Sequence, residues 1–212
     1  MQFRIILSIY FFFFASVEIV CAQSIVFEFG QTSSTYVHNS TSGPKKTFFN
    51  DRGQTLKVSL LKDFLRIHEI SFGASLFESN SLGQVITTEL DYRTQFLGLF
   101  SISHFNVLSL ANRRYCASCT DFNFYINAGV QLSSMLTGTQ KINDDAYDLK
   151  GIEDFKGIWF SPILGTKVQF DASDIISLIL TYNFTPMFNF TDTDEDFSMN
   201  ASQITFGIRL WL

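Results

Sequence analysis

The chain has 212 residues and a net charge of −5 at pH 7, and 46% of its residues are hydrophobic. With only 17% charged residues and three prolines the composition argues against disorder, and it offers no basic stripe for nucleic acid. After residue 22 there is no run of about 18 apolar residues, so no membrane-spanning helix is predicted. The apolar residues are instead dispersed at period two, as a transmembrane β-barrel requires.

Residues 1–22 are predicted to be a cleaved secretory signal peptide. Arg4 supplies the positive charge, Ile5 to Ala15 form the apolar core, and the small-residue cleavage site ends at Ala22. Cleavage leaves a single barrel domain of residues 23–212. Two other interpretations stay open: a retained signal anchor, for which the apolar run is short, and lipid attachment at Cys21, whose preceding residues fit poorly.

Eight β-strands are predicted, because eight segments alternate between apolar and polar residues. Several are far longer than the typical soluble strand of about five or six residues, and they reach the length of about 9 to 11 residues that crosses a bilayer. In chain order the predicted strands are Ser24–Thr35, Gln54–Leu61, Arg66–Ser79, Gln84–Ser103, Phe122–Leu136, Gly157–Phe170, Ile175–Phe190 and Ser202–Leu212.

The last strand has the clearest pattern. Every even-numbered residue from Ile204 to Leu212 is apolar, while the odd-numbered face from Gln203 to Trp211 includes Arg209. We therefore expect the even face to contact lipid and the odd face to line a lumen. The aromatic and aliphatic end of this strand is interpreted as the signal that barrel-insertion machinery reads. That signal comprises Phe206, Ile208, Leu210, Trp211 and Leu212.

The links between strands predict an orientation. An even strand number returns both termini to one side, the periplasm in bacterial barrels, so short turns are expected there and long loops outside. The link His104–Asp121 breaks this rule, because it is long and lies on the periplasmic side. It contains Cys116 and Cys119, which in an exported chain are most simply a local disulfide or free thiols, with a redox or metal site as the alternative.

The lumen is predicted to be filled and ion-paired. An eight-stranded barrel is just wide enough for side chains to fill, and buried charges are costly unless they are paired. On the strand Gln84–Ser103, aliphatic and aromatic residues such as Leu90 and Phe96 are placed outward. The eight charges assigned to the lumen, four of each sign, are Glu28, Lys57, Glu69, Glu89, Asp91, Arg93, Lys167 and Arg209.

No reaction is predicted from this chain. His38, His68 and His104 are scattered, and no nucleophile motif, phosphate-binding loop or dinucleotide fingerprint occurs. The acidic loops lack the ligand spacing of an EF-hand. We therefore expect no catalytic residue, no metal and no cofactor.

The order of the carboxyl-terminal segments also carries a resemblance. An Ala128-Gly129 step precedes a strand that runs into a long acidic loop, and a Leu-x-Leu-x-Tyr strand follows at Leu178 to Tyr182. Over Glu89–Leu212 the chain resembles the PorT-like outer-membrane β-barrel proteins of the Bacteroidota. The resemblance implies a non-enzymatic barrel without catalytic residues, in a family whose founding member is associated with protein secretion and gliding.

The sequence thus predicts an integral outer-membrane protein that is a structural or accessory subunit of a larger assembly. Its expected partners are outer-membrane lipid, barrel-insertion machinery and other outer-membrane proteins. Two alternatives remain: a small transport or ligand-binding barrel, and a soluble secreted barrel that resembles lipocalins.

Overall fold

The computed structural model describes residues 23–39, 47–65, 67–85, 88–111, 121–143, 145–152, 155–189 and 196–212. The predicted signal peptide at 1–22 lies outside these residues, as do Cys116 and Cys119.

The described chain is almost entirely β-structure. It contains one short helix, α1 (Val107–Ala111), and one 3-10 turn, Leu149–Gly151. In this part of the chain no helix has the length and apolar character needed to cross a membrane. The strands are β1 (Ser24–Asn39), β2 (Thr47–Leu65), β3 (His68–Glu78), β4 (Ser81–Val85), β5 (Thr88–Asn106), β6 (Phe122–Ile142), β7 (Asp145–Asp148), β8 (Trp159–Asp171), β9 (Ile176–Asn189) and β10 (Asp196–Trp211).

The sheet closes into an antiparallel ring of eight positions. Strand β1 pairs along its full length with β10, from Ser24 opposite Trp211 to Asn39 opposite Asp196, and on its other side with β2. Strands β3 and β4 share one position, because both pair with β2 and β5, whereas the short β7 pairs only with the end of β6, antiparallel to it. The predicted eight-stranded up-and-down barrel is confirmed. We call the end that holds Ser24 and Trp211 the terminal end, and the opposite end the loop end.

The outside of the ring is apolar. Large hydrophobic side chains stand exposed on it; Phe29 and Leu164, for example, are each 61% exposed. Such a surface around a closed ring is stable in lipid, and it does not fit the soluble alternative. We call this surface the apolar belt; it includes Phe27, Phe29, Leu56, Val58, Leu97, Leu99, Ile126, Val130, Leu164, Leu180, Tyr182, Phe184, Ile204, Phe206 and Ile208.

Several strands extend farther toward the loop end than predicted. Strand β1 runs to Asn39 and not Thr35, and β2 begins at Thr47 and not Gln54. In these extensions the outward residues of β1 and β2 are mostly polar, so the alternation of apolar and polar residues by which strands are predicted is weak there. The backbone pairing nevertheless continues. Residues 80–83, which separate the third and fourth predicted strands, are also not a simple connection, because Ser81–Val85 form β4, whose Val85 pairs with Thr88 of β5.

Candidate functional site: three layers of side chains in the lumen

At the terminal end, Glu69 is the centre of a buried charged cluster. Its Oε2 lies 2.6 Å from Lys167 Nζ and its Oε1 lies 3.1 Å from Arg209 Nη1. The Tyr125 hydroxyl donates a hydrogen bond of 2.9 Å to the same carboxylate, and the Lys167 ammonium lies 4.0 Å above the Tyr125 ring. Because Glu69 and Lys167 are almost completely buried, this pair owes its stability to good geometry and these added contacts.

Arg209 has no exposed surface, and its guanidinium is satisfied on every side. Nη2 contacts Asp63 Oδ1 at 3.1 Å, Nε donates to Ser24 Oγ at 2.8 Å, and Nη1 donates to Gln169 Oε1 at 3.2 Å. One ring face of Trp211 covers the group. The charged cluster is therefore Asp63, Glu69, Lys167 and Arg209, and its two negative and two positive charges balance.

A second pair of opposite charges lies near this cluster on β1 and β2. Glu28 stands directly opposite Lys57 in the strand register, and Lys57 is 2% exposed. The Thr205 hydroxyl donates to Glu28 Oε1 at 2.8 Å. Glu28, Lys57, Glu69, Lys167 and Arg209 thus all lie on the lumen side of the ring.

Above the charges, polar and apolar side chains together line a cavity of about 20 Å³. The His104 ring bridges Ser71 Oγ, at 2.9 Å, and Asn127 Oδ1, at 2.7 Å. Asn127 Nδ2 in turn donates to Asn183 Oδ1 at 3.3 Å. A cavity of this size has room for about one water molecule, and the polar side chains in its mixed lining supply hydrogen-bond partners.

The next layer toward the loop end consists of hydroxyls and amides. Gly98 leaves space for them, since a Cβ there would lie 2.8 Å from Ser75 Oγ and 2.9 Å from Gln131 Nε2. Seven buried side-chain atoms of this middle layer have no hydrogen-bond partner within the described chain. Leaving one such atom unpaired costs about 1–3 kcal/mol. The seven belong to Thr32, Thr55, Gln131, Ser133, Ser161, Thr185 and Gln203.

An aromatic plug closes the lumen at the loop end. The Trp159 ring packs edge-on against Phe96 with centroids 5.7 Å apart, and the Tyr36 and Tyr92 rings are 5.0 Å apart. Two of its residues, Leu149 and Phe155, come from the segment between β7 and β8 and are buried in the barrel mouth. The aromatic plug comprises Tyr36, Phe77, Leu90, Tyr92, Phe96, Met135, Leu149, Phe155, Trp159, Met187 and Met199.

The predicted faces of β5 are wrong. Glu89 and Arg93 are exposed on the outside of the ring, and Asp91 on the same face is partly exposed. Arg93 forms ion pairs with Asp91 at 2.9 Å and with Asp51 at 3.0 Å. Both faces of β5 carry large apolar residues, so the alternation does not distinguish them. The bulkier set, which includes Phe96, fills the lumen, whereas Leu97 and Leu99 face lipid.

Sequence reasoning also missed Asp63 and the aromatic plug. Asp63 lies between the second and third predicted strands, although every second residue counted from Lys57 falls on the lumen face and the count includes Asp63. The plug was missed because lumen residues were expected to be polar. Continuing the period of β8 from Ser161 back to Trp159 would have found its central residue.

The residues of the predicted insertion signal are divided between the two faces of the last strand. Phe206, Ile208, Leu210 and Leu212 are exposed on the lipid face of the last strand. Trp211 faces the other way and contacts Arg209. Among the described residues no three His, Cys, Asp or Glu side chains are grouped so as to hold a metal.

No family model matches this chain, and no curated protein matches it either. Its fold is similar to that of solved small barrels. The outer-membrane protein OprG of Pseudomonas aeruginosa superposes with a TM-score of 0.52 at 9% identity, covering 91% of this chain and 98% of OprG. Neisserial surface protein A gives a TM-score of 0.48 at 10% identity, covering 89% of this chain and 97% of that protein.

At such low identity the likeness to OprG shows a shared fold and no shared activity. The closed ring and the apolar belt lead to the same architecture independently. The chain is a multi-pass, eight-stranded β-barrel of the outer membrane.

Proposed function

We propose that this protein is a non-enzymatic, non-conducting outer-membrane barrel that serves as a structural or accessory subunit of a larger assembly of the secretion or biogenesis type. The observation that supports the proposal is the filled lumen. A solute that enters at the terminal end meets the charged cluster, and one that enters at the loop end meets the aromatic plug. A barrel without a passage contributes through its outer surface and its loops.

The proposal includes a family and an orientation. The part of the chain that resembles the PorT-like proteins is Glu89–Leu212, and we propose membership of that family and an origin in the Bacteroidota. The terminal end is placed in the periplasm, because the connection from Asp171 to Ile176 at that end is short. Outer-membrane lipid, barrel-insertion machinery and other outer-membrane proteins are the proposed partners.

Two measurements test the two parts of this proposal. Affinity purification of the tagged barrel from detergent-solubilised outer membranes, with identification of co-purifying proteins by mass, is expected to recover a stoichiometric partner; recovery of the barrel alone contradicts the assembly role. In planar bilayers the pure barrel is expected to give no steady current. Large, steady single-channel currents would contradict the non-conducting lumen and support the transport alternative.

A further inference from the structure

We propose that the middle layer of the lumen is an internal water site, enclosed between the charged cluster and the aromatic plug. The proposal concerns what the lumen binds and does not depend on the assembly role.

The middle layer occupies the same position between the charged cluster and the aromatic plug on different strands. On β8, Ser161 lies between Trp159 of the plug and Lys167 of the charged cluster; on β10, Gln203 lies between Met199 and Arg209. The unpaired atoms therefore lie at one level of the lumen, on β1, β2, β6, β8, β9 and β10, and are not scattered. Across strands, Thr32 stands opposite Gln203 and Gln131 stands opposite Ser161.

The chemistry of the unpaired atoms matches water. Five of the seven unpaired atoms are hydroxyl oxygens and two are amide nitrogens. Hydroxyls both donate and accept hydrogen bonds, whereas amide nitrogens only donate. Water, which donates and accepts equally, matches such a mixed set. A metal ion does not, because it would face the two N–H groups, and an apolar ligand would leave every group unpaired.

A small cavity lies directly on the terminal side of the layer. It is lined by polar residues, among them His104, Asn127, Thr181 and Asn183, and by five apolar ones. Gln203, whose amide nitrogen is unpaired, stands opposite Asn183 in the register, and Thr185 follows Thr181 on the same face of β9. Water in the cavity thus lies next to the groups that need partners. Buried waters typically occupy sites with two to four polar partners, and the cavity and middle layer together supply them.

Isosteric substitution distinguishes a hydrated layer from a dry one. In a hydrated layer Thr32→Val and Thr185→Val each remove hydrogen bonds to water, so both lower the urea midpoint of unfolding from lipid vesicles. In a dry layer the same changes remove an unsatisfied hydroxyl and raise the midpoint. Thr205→Val is the matched control, because that hydroxyl donates to Glu28 and its loss lowers the midpoint in either case. A midpoint that stays the same or rises in Thr32→Val and Thr185→Val overturns the proposal.

A second measurement does not depend on how the variants fold. Magnetic relaxation dispersion of the water oxygen counts internal waters that exchange slowly with bulk water. The unchanged barrel in detergent micelles is expected to hold several, since both ends of the lumen are closed, and the Thr32→Val/Thr185→Val double variant is expected to hold fewer. Finding no long-lived water in the unchanged barrel overturns the proposal.

Discussion

The guanidinium carbon of Arg209 lies 3.5 Å from the centre of the Trp211 ring. The indole N–H of Trp211 also donates to Ser177 Oγ on β9 at 3.0 Å, which fixes the ring over the charge. Two residues of the last strand that share the lumen face are thus joined by a cation–π contact. The terminal tryptophan supports the charged cluster, and its neighbours Leu210 and Leu212 contact lipid.

Replacing Trp211 with alanine is expected to destabilise the folded barrel by about 2 kcal/mol, because the cation it covers is fully desolvated. Trp211→Phe should recover much of the loss, since it keeps an aromatic face. Urea unfolding from lipid vesicles measures both. Equal stability of the alanine variant and the unchanged barrel would mean that the contact contributes nothing.

Deleting residues 211–212 is expected to reduce insertion into the outer membrane, because Leu212 belongs to the exposed apolar face proposed as the insertion signal. Trp211→Ala keeps Leu212 and the exposed apolar face, so comparing it with the truncated chain separates the contribution of the tryptophan from that of Leu212. Heat-dependent migration in gels of fractionated membranes reports folded barrel. Normal insertion of the truncated chain would rule out these two residues as part of the signal.

Glu69→Gln is expected to cost about 3–5 kcal/mol, because it leaves the buried Lys167 and Arg209 with too little negative charge. Adding Lys167→Met to the same chain should recover part of the loss, since it removes one uncompensated cation. Arg93→Gln is the matched control, and its half-exposed ion pairs predict a change below about 1 kcal/mol. Equal costs for Glu69→Gln and Arg93→Gln would contradict the burial of the cluster.

Removing the centre of the aromatic plug is not expected to open a pore. In Phe155→Ala/Trp159→Ala the charged cluster still closes the terminal end, so planar bilayers should show no steady current. Combining this variant with Arg209→Ala weakens both closures and is expected to give measurable conductance. Steady current from the plug variant alone would show that the charged cluster does not seal the lumen.

The aromatic plug also predicts a loss of stability in alkali. Tyr36 and Tyr92 lie at the loop end, beyond the apolar belt; burial raises the pKa of Tyr92 to about 12, and it raises the pKa of Tyr36 as well. In the unfolded chain both ionise near the ordinary value of 10.0. The fold favours the neutral hydroxyls, so their contribution is complete below pH 10.0 and declines as the pH rises through about 12.

Near-ultraviolet absorbance of tyrosinate, recorded together with urea unfolding across this range, measures the effect. Tyr92→Phe should show a smaller decline. An unfolding free energy that does not change between these pH values would contradict the burial of the two hydroxyls.

The strand pattern could be predicted where one face is polar and the other apolar. In β10 the alternation from Ile204 to Leu212 matches the exposed and buried faces residue by residue. In β5 it fails, because Phe96 and Phe100 inside and Leu97 and Leu99 outside are equally apolar. Only the neighbouring strands decide which face turns inward there.

The content of the lumen could be predicted only in part. The period-two pattern of single strands places Lys57, Glu69, Lys167 and Arg209 on the lumen face. It does not predict which of them are in contact, since Lys167 and Glu69 are 98 positions apart. The plug was not predicted, because the rule of a polar lumen ignores that a closed mouth can be filled with aromatic rings. Whether the mouth is filled in this way depends on how the segment carrying Leu149 and Phe155 packs, and no local sequence pattern predicts that packing.

The charged cluster draws its members from both ends of the chain. Arg209 on the last strand donates to Ser24 on the first, 185 positions away, and both Arg209 and Lys167 contact Glu69 on β3. None of these charges is fully compensated until β1 and β10 pair, so an open sheet would have to bring bare charges into hydrocarbon. Ring closure therefore favours entry into the bilayer, because it pairs these charges before hydrocarbon surrounds them.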